Sequence, residues 1–567
     1  MDVAVGYDDG GLATAVLTDA DDGHDGYQAL RVRQPADIAA GLGADIRTVR
    51  WIWADTAAIY PRLLAAGVRV ERCHDLRLCH AILAGHDNRL LDDPRWRRRE
   101  PEPDHEPTLL DDQPGEDRMA LAEVVAEYRR QRRALVAGPT AGDEDRIRCA
   151  KLRLLLSAES AGSLVAAEMA FHGLPWDAEV HDRQLTELLG PRPRYGGRPD
   201  KLQAVTDRLV AALEVGSFNP DSPVELLHAL HRAGIDVHST RKWELQRIDH
   251  PAIEPLLEYK KLSRLLAANG WAWLDTWVKD GRFRPDYVVG GVVTGRWATS
   301  GGGALQLPKQ LRRASRADPG WKLVVADAAQ LEPRVLAAMA RDDQLATAAR
   351  GRDLYQGLVD GGVVDTRAHA KVAMLGALYG ATTGQGGQLM PRLVSAYPRA
   401  TGLVEDAARS GERGEIVSTF LGRRSPLPPD SWRELQHFAG SGDASADDVR
   451  RARQQARDWG RFTRNFVVQG TAAEWALCWM AGLRQRLLVL GSSTPDDVDH
   501  GAIDCGRAHL VYFLHDEVIV HAPAALAEAA AAAIVESATA AGQLLFGDCG
   551  VEFALDVDIV DSYGEVS

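Results

Sequence analysis

The sequence predicts a multidomain α/β protein, and three observations carry this. The chain has 567 residues, more than one hydrophobic core ordinarily spans. Residues 119 to about 265 read as strongly helical, whereas residues 266–567 alternate strand-like and helix-like segments. Between residues 91 and 118, "LDDPRWRRREPEPDHEPTLLDDQPGEDR" is Pro-rich and charged, as expected of a surface loop or linker.

Composition narrows the class. Apolar residues are 45% and charged residues 26% of the chain, the balance of a soluble globular protein. No unbroken apolar run approaches ~20 residues, so no membrane span is expected. The opening "MDVAVGYDDGG" lacks the basic and apolar regions of a secretion signal. Six cysteines stand without framework spacing, which predicts reduced thiols in a cytosolic protein. "RCHDLRLCH" (Arg72–His80) has two Cys–His pairs but no second cluster to complete a zinc site, and reads as ordinary helix. A net charge of −14 argues against a protein wrapped in nucleic acid on all sides, while leaving room for a local basic cleft.

In chain order, "TAAIYPRLLAAGV" is helix-like. "KLRLLLSAESAGSLVAAEMAFHG" places apolar residues at helical spacing and stops at Gly173. "SPVELLHALHRAG" opens with Ser222 as N-cap, Pro223 at the first position and Glu225 at the capping-box position, and stops at Gly234. "WKLVVADAAQLEPRVLAAMA" starts as a buried strand and becomes an amphipathic helix through Leu331, Val335 and Met339; Pro333 fits only in that helix's first turn. Asp327 then projects from the strand's C-terminal end, where open α/β sheets place ligands.

"HLVYFL" (His509–Leu514) and "VIVHA" (Val518–Ala522) read as a hairpin with His515, Asp516 and Glu517 at its turn. Alone, this reads as a solvated turn, where Asp is common. If the hairpin pairs beside the Asp327 strand, Asp327 and Asp516 converge. Close carboxylates resist joint ionisation unless cations lie between them. Oxygen ligands suit Mg²⁺, and two such ions can clamp the attacking and leaving oxygens of a phosphoryl transfer. A phosphate grip is expected with them. In "DTRAHAKVAMLGALYGATTG", Arg367, Lys371, Leu375 and Tyr379 recur every four residues and form one stripe on a helix. Arg367 and Lys371 repel mildly without an anion. A solvated basic face is the plain alternative; an aromatic and a glycine continuing the stripe suit a base stacked beyond a triphosphate.

These segments resemble the family A DNA polymerases, specifically the large fragment of bacterial DNA polymerase I. The family's D-Y-S-Q-I-E-L-R stands here as "DAAQLEPR" (Asp327–Arg334). Its R-x-x-x-K-x-x-x-F-x-x-x-Y-G is Arg367, Lys371, Leu375, Tyr379 and Gly380. Its H-D-E is His515, Asp516 and Glu517. "TGRWAT" (Thr294–Thr299), "LQLP" (Leu305–Pro308), "RFTRNFVVQGTAA" (Arg461–Ala473) and "SFNPDSPVELLHAL" match further segments in order, so the resemblance covers roughly residues 155–567.

The resemblance implies a right-hand fold of palm, fingers and thumb preceded by a ribonuclease H-like exonuclease-type domain. Its divisions would be 1–145 exonuclease-like, 150–265 entry helix and thumb, 266–335 palm, 336–440 fingers and 441–567 palm. It implies that Asp327 and Asp516, with the backbone of Ala328, hold two Mg²⁺ ions, Mn²⁺ being an alternative. Glu517 would support that site and the primer end. Arg367 and Lys371 would hold the triphosphate, and Lys371 would protonate the leaving pyrophosphate. Tyr379 would lie near the templating base, Glu332 would block a ribose 2′-hydroxyl, and Gln330, Leu375 and Tyr355 would complete the nucleotide site. Arg296, Gln306, Arg461, Asn465 and Gln469 would contact the duplex, mostly in its minor groove, and His515 the primer strand. The implied partners are primer–template DNA and deoxynucleoside triphosphates, for a cytoplasmic, nucleoid-associated monomer that needs no membrane.

Departures shape the expectation. Leu375 replaces an aromatic that packs on the incoming sugar, opening the alternative of ribonucleotide tolerance. Tyr355 in "DLY" replaces a histidine, Ala328 and Ala329 replace Tyr and Ser, and the fingers after Gly380 look trimmed. Residues 1–90 lack the D-x-E of a proofreading nuclease. Pro61 stands where a catalytic Asp would be, and only Asp8, Asp9, Asp55 and Asp75 remain as candidates. The expectation is a polymerase for repair or gap filling without 3′–5′ exonuclease activity. A polymerase fold kept as a DNA-binding scaffold is the competing class.

Overall fold

The computed structural model describes residues 1–8, 11–17, 27–31, 49–86, 93–96, 119–136, 142–351, 353–380, 384–441, 443–491 and 506–566. Asp9 and most of the charged 91–118 segment lie outside them. The chain divides into two units. One comprises residues 1–172, 286–301 and 320–559; the other comprises 173–285, 302–319 and 560–567. Each unit is thus assembled from chain segments far apart in sequence.

The first unit opens with a five-stranded sheet. Asp2–Asp8, Gly11–Leu17 and Tyr27–Arg31 form an antiparallel meander, and Arg50–Trp53 and Arg72–Asp75 add in parallel beside the first strand. Alternation along these strands supplies two cores. Val3, Val5, Trp51 and Trp53 pack with Tyr60, Leu63 and Leu164. Ala4, Ala13, Ala15 and Ile52 pack with Leu121, Val124 and Tyr128. Helices Thr56–Ala65 and Leu121–Ala134 supply the covering residues. "RCHDLRLCH" is not one helix: Arg72–Asp75 is a strand and Leu76–Ala84 a helix, because Asp75 caps the helix through Leu78 N–H. His74 pairs with Gln131 and His80 with Glu127, each at 2.9 Å, inside the fold.

The same unit holds a four-stranded sheet in the order His509–Leu514, Glu517–Pro523, Trp321–Ala328, Leu555–Val560. The apolar run Leu323–Ala326 is almost wholly buried, as a strand covered on both faces requires. The 44-residue helix Ala446–Val489 and the helix Ala527–Phe546 share its core, with Trp479 Nε1 donating to the Ile534 carbonyl at 3.1 Å. Helices Asp143–His172 and Ala524–Phe546 are each long and apolar enough to cross a bilayer. About half of each apolar window is buried inside the protein, as their shared core with the sheet explains.

The second unit is mainly helical: Ala178–Leu189, Asp200–Leu213, Pro223–Arg232 and Ile253–Asn269. Trp176, Trp273 and Phe283 form its aromatic centre. Ser222 caps Pro223–Arg232 through Glu225 N–H at 3.3 Å. The Glu225 carboxylate accepts from Asn219 N–H at 2.9 Å and not from Ser222, so the expected reciprocal box is replaced by a longer loop-closing bond.

Candidate active site

Antiparallel register builds the acid pair. Trp321–Ala328 runs against Glu517–Pro523 with Asp327 opposite Glu517, so these two residues share a sheet face. The hairpin tip is tight. His515 has φ 60°, and Asp516 N–H donates to the Leu514 carbonyl at 2.8 Å, a γ-turn that costs a non-glycine residue strain. Ala328 N–H donates to the Asp516 carbonyl at 2.9 Å and fastens the tip to the strand end. Behind the tip, Tyr287 Oη donates to the Phe513 carbonyl at 2.8 Å and accepts from Phe513 N–H at 3.1 Å. Trp297 packs edge-on against both rings.

Burial, and then the charge of Asp327 beside it, push the Asp516 carboxyl up to about 7. Two acids in mutual repulsion fit a divalent cation. Among the described residues no three His, Cys, Asp or Glu side chains close a metal cage. Carboxylate oxygens are hard donors that suit a divalent cation whose remaining positions are filled by other oxygen ligands.

The helix after the Asp327 strand, Leu331–Ala340, has Pro333 in its first turn as expected. Glu332 pairs with Arg296 and accepts from Tyr379 Oη at 3.0 Å, and Gln469 Nε2 reaches that hydroxyl at 3.4 Å. The stripe helix, Arg367–Tyr379, is capped by Thr366 Oγ1. At its start Arg367 pairs with Asp353 at 2.6 Å and lies over the Tyr355 ring at 5.7 Å. Tyr355 is itself buried and so serves as a platform for the guanidinium. Lys371 is exposed and Leu375 half-buried on the same helix. Gln330, in the left-handed region at φ 51°, accepts from Leu354 N–H at 3.1 Å and ties the two segments together.

Arg461 pairs with Asp458 one turn earlier. Asn465 Oδ1 is buried without a hydrogen-bond partner among the described residues. Gln306 belongs to the other unit, where Arg264 approaches it at 3.5 Å. Sequence reasoning gave Arg334 no role. It is buried and donates to the carbonyls of Ala329, Glu552 and Gly351 at 2.8, 2.6 and 2.9 Å, which fixes the backbone just after the acids. A lone arginine following a proline carries no local signal of that task.

A model of DNA polymerase family A matches residues 199–565, more than half of the chain. The chain belongs to DNA polymerase family A. Thermostable DNA polymerase I of Thermus filiformis is 28% identical over 324 residues, covering 52% of this chain and 34% of the relative. DNA polymerase I of Chloroflexus aurantiacus is 25% identical over 562 residues, covering 89% of this chain and 54% of the relative. The chain thus spans about a third to about half the length of these relatives. The fold is shared with the POL domain of Pol1 from M. smegmatis, solved in complex with DNA primer-template and dNTP: TM-score 0.68, 19% identity, covering 99% of this chain and 95% of that one. In this family A member, the acids, Glu332, Tyr379 and Gln469 all lie within one unit.

Proposed function

We propose that this chain is a template-directed DNA polymerase that extends a primer 3′ end with deoxynucleotides by two-metal phosphoryl transfer, without proofreading, in DNA repair or gap filling. It acts as a cytoplasmic, nucleoid-associated monomer on primer–template DNA and deoxynucleoside triphosphates. The observation that carries the reading is the register that places Asp327 and the Asp516 hairpin side by side.

Asp327 and Asp516 would hold Mg²⁺, with Mn²⁺ as a substitute, and the bound ions would neutralise the charge that develops on the reacting oxygens. Arg367, steadied by Asp353 and Tyr355, and Lys371 grip the triphosphate. The primer 3′-hydroxyl gives up its proton to solvent as its oxygen attacks the α-phosphorus, the α–β bridge breaks, and Lys371 gives a proton to the departing pyrophosphate. Glu332, held by Arg296 and Tyr379, faces the sugar. Leu375 offers less surface there than a ring, which favours a second reading in which ribonucleotides are also taken; side-by-side incorporation of the two nucleotide types decides it.

The amino-terminal sheet, a meander followed by two parallel strands, supports an exonuclease-like ancestry. Two of its residual acids are committed to structure. Asp55 caps Thr56–Ala65 through Ala57 N–H at 2.9 Å and pairs with Arg77 at 3.1 Å. Asp75 accepts from Thr56 and Leu78 N–H groups at 2.7 and 3.0 Å.

The test is primer extension with Mg²⁺ and four deoxynucleotides on a recessed 3′ end labelled at its 5′ end, beside a lane without nucleotides. Extension in the first lane and an intact primer in the second are expected. Binding without extension would establish the scaffold reading, and primer shortening in the second lane would overturn the absence of proofreading.

A further inference from the structure

The segment that carries Arg296 is gripped from behind by residues that the phosphoryl transfer itself does not use. Thr294 is buried, and Gly295 has φ 88°. A Cβ at Gly295 would stand 2.6 Å from Arg423 Nε and 2.8 Å from its Cζ. The Arg423 guanidinium therefore lies against bare backbone one residue before Arg296. A Cβ at Gly470 would likewise stand 3.0 Å from the Thr294 carbonyl, so the long helix Ala446–Val489 closes on the same segment. Arg296 in turn pairs with Glu332, which also accepts from Tyr379 Oη. All of these residues belong to the first unit.

Arg423 is itself held fast. Its Nη2 donates at 2.8 Å to Glu159, a buried carboxylate on helix Asp143–His172. Its backbone N–H donates to Thr419 Oγ1 at 2.8 Å, and Thr419 N–H donates to the Arg423 carbonyl at 2.9 Å. These bonds close a tight turn, and Glu474 accepts from Leu421 N–H within it at 2.9 Å. The amino-terminal segment meets this turn where helix Leu76–Ala84 ends. His86 Nε2 lies 2.7 Å from the Gly422 carbonyl, and Arg424 Nη1 donates to the Gly85 carbonyl at 3.1 Å. A carbonyl only accepts, so the His86 proton on that side sits on Nε2. Cys79, Ile82 and Leu83 of the same helix are buried in one core with Trp297, the residue after Arg296.

Taking the chain as a polymerase, we propose that His86, Glu159 and Arg423 are positioning residues for Arg296. The turn after helix Leu76–Ala84 clamps Gly422–Arg424, Glu159 orients the Arg423 plane, and that plane sets the backbone from which Arg296 reaches Glu332 and a bound duplex. A guanidinium paired with a carboxylate on one side and packed on backbone on the other has little freedom. A small misplacement passed on from outside the reacting centre is enough to slow a transfer that depends on alignment. The amino-terminal segment thereby serves synthesis without any nuclease chemistry of its own.

Two measurements on the full chain test this, with His86→Ala and with Arg423→Lys, which leaves a cation beside Glu159. In hydrogen exchange read by mass spectrometry, the amides of residues 292–298 should exchange at least about fivefold faster in both variants, while those of Trp321–Ala328 keep the wild-type rate. In single-turnover primer extension at subsaturating deoxynucleotide, the incorporation rate should fall by about fivefold or more. Made in an Arg296→Ala background, the same changes should cause no further fall, because they act through Arg296. A role confined to stability would slow both backgrounds equally, and that result overturns the proposal. So does unchanged exchange at 292–298, or faster exchange with an unchanged incorporation rate. A wild type that extends no primer sinks the polymerase reading by itself, and the exchange measurement still decides whether His86 and Arg423 hold the Arg296 segment.

Discussion

At the scale of residues, Asp516 is half-buried and stands beside the charge of Asp327. Burial and Asp327 both disfavour its ionised form, so its value to the protein lies in meeting a cation. Asp516→Ala should abolish primer extension, by at least about 10³-fold, while primer–template affinity in a filter or anisotropy assay stays within about twofold. A second buried acid, Glu474, titrates for a structural reason. It accepts from Thr419 Oγ1 and, at 2.9 Å, from Leu421 N–H, yet burial pushes its carboxyl up to about 7. A folded value above the unfolded one, near 4.3, means the contribution is fully present below about pH 4.3 and is lost as pH rises through 7. Urea unfolding of Glu474→Gln should therefore show less loss of stability between pH 5 and pH 8 than the wild type.

At the scale of elements, the long helix Ala446–Val489 explains why a glycine interrupts it. A Cβ on Gly470 would collide with Thr419 Cγ2 and lie 3.0 Å from the Thr294 carbonyl, so the helix approaches two other segments of the fold only because that position is bare. Alanine has the higher helix propensity by ~1 kcal/mol, but overpacking here should win. Gly470→Ala is expected to destabilise by about 1–3 kcal/mol, seen as a lower urea midpoint with an unchanged slope. The "QGTAA" match was legible in sequence as part of a family motif. Its reason was not, since Thr294 and Thr419 are remote in the chain. Likewise the hairpin could be read from alternation and a polar turn, but not the γ-turn at His515 nor the bulge between Leu510 and Tyr512. Both depend on what the strand pairs with.

At the scale of the whole molecule, the amino-terminal sheet is not a loose appendage. Tyr60, Val70 and Glu71 meet Glu168 and Arg484 in a buried network. Burial alone would raise the Glu168 carboxyl, but Arg484 and then Arg69 hold it down at about 2. Arg484→Met strands that carboxylate and should cost about 3–5 kcal/mol. Limited proteolysis should then cut the amino-terminal segment faster in the variant than in the wild type.

The residues by themselves determined the chemistry: acids at a strand end and a hairpin turn, and a basic-aromatic stripe at helical spacing. Periodicity and turn composition act over a few residues, so they survive in a bare sequence. Tertiary structure alone decided the Asp327–Glu517 register, the sharing of Glu332 between Arg296 and Tyr379, and Tyr355 as a platform under Arg367. It also decided the commitment of Asp55 and Asp75 to helix caps. Each of these follows from which distant segments are buried against one another, and burial sets both the partners and the charge of a polar group.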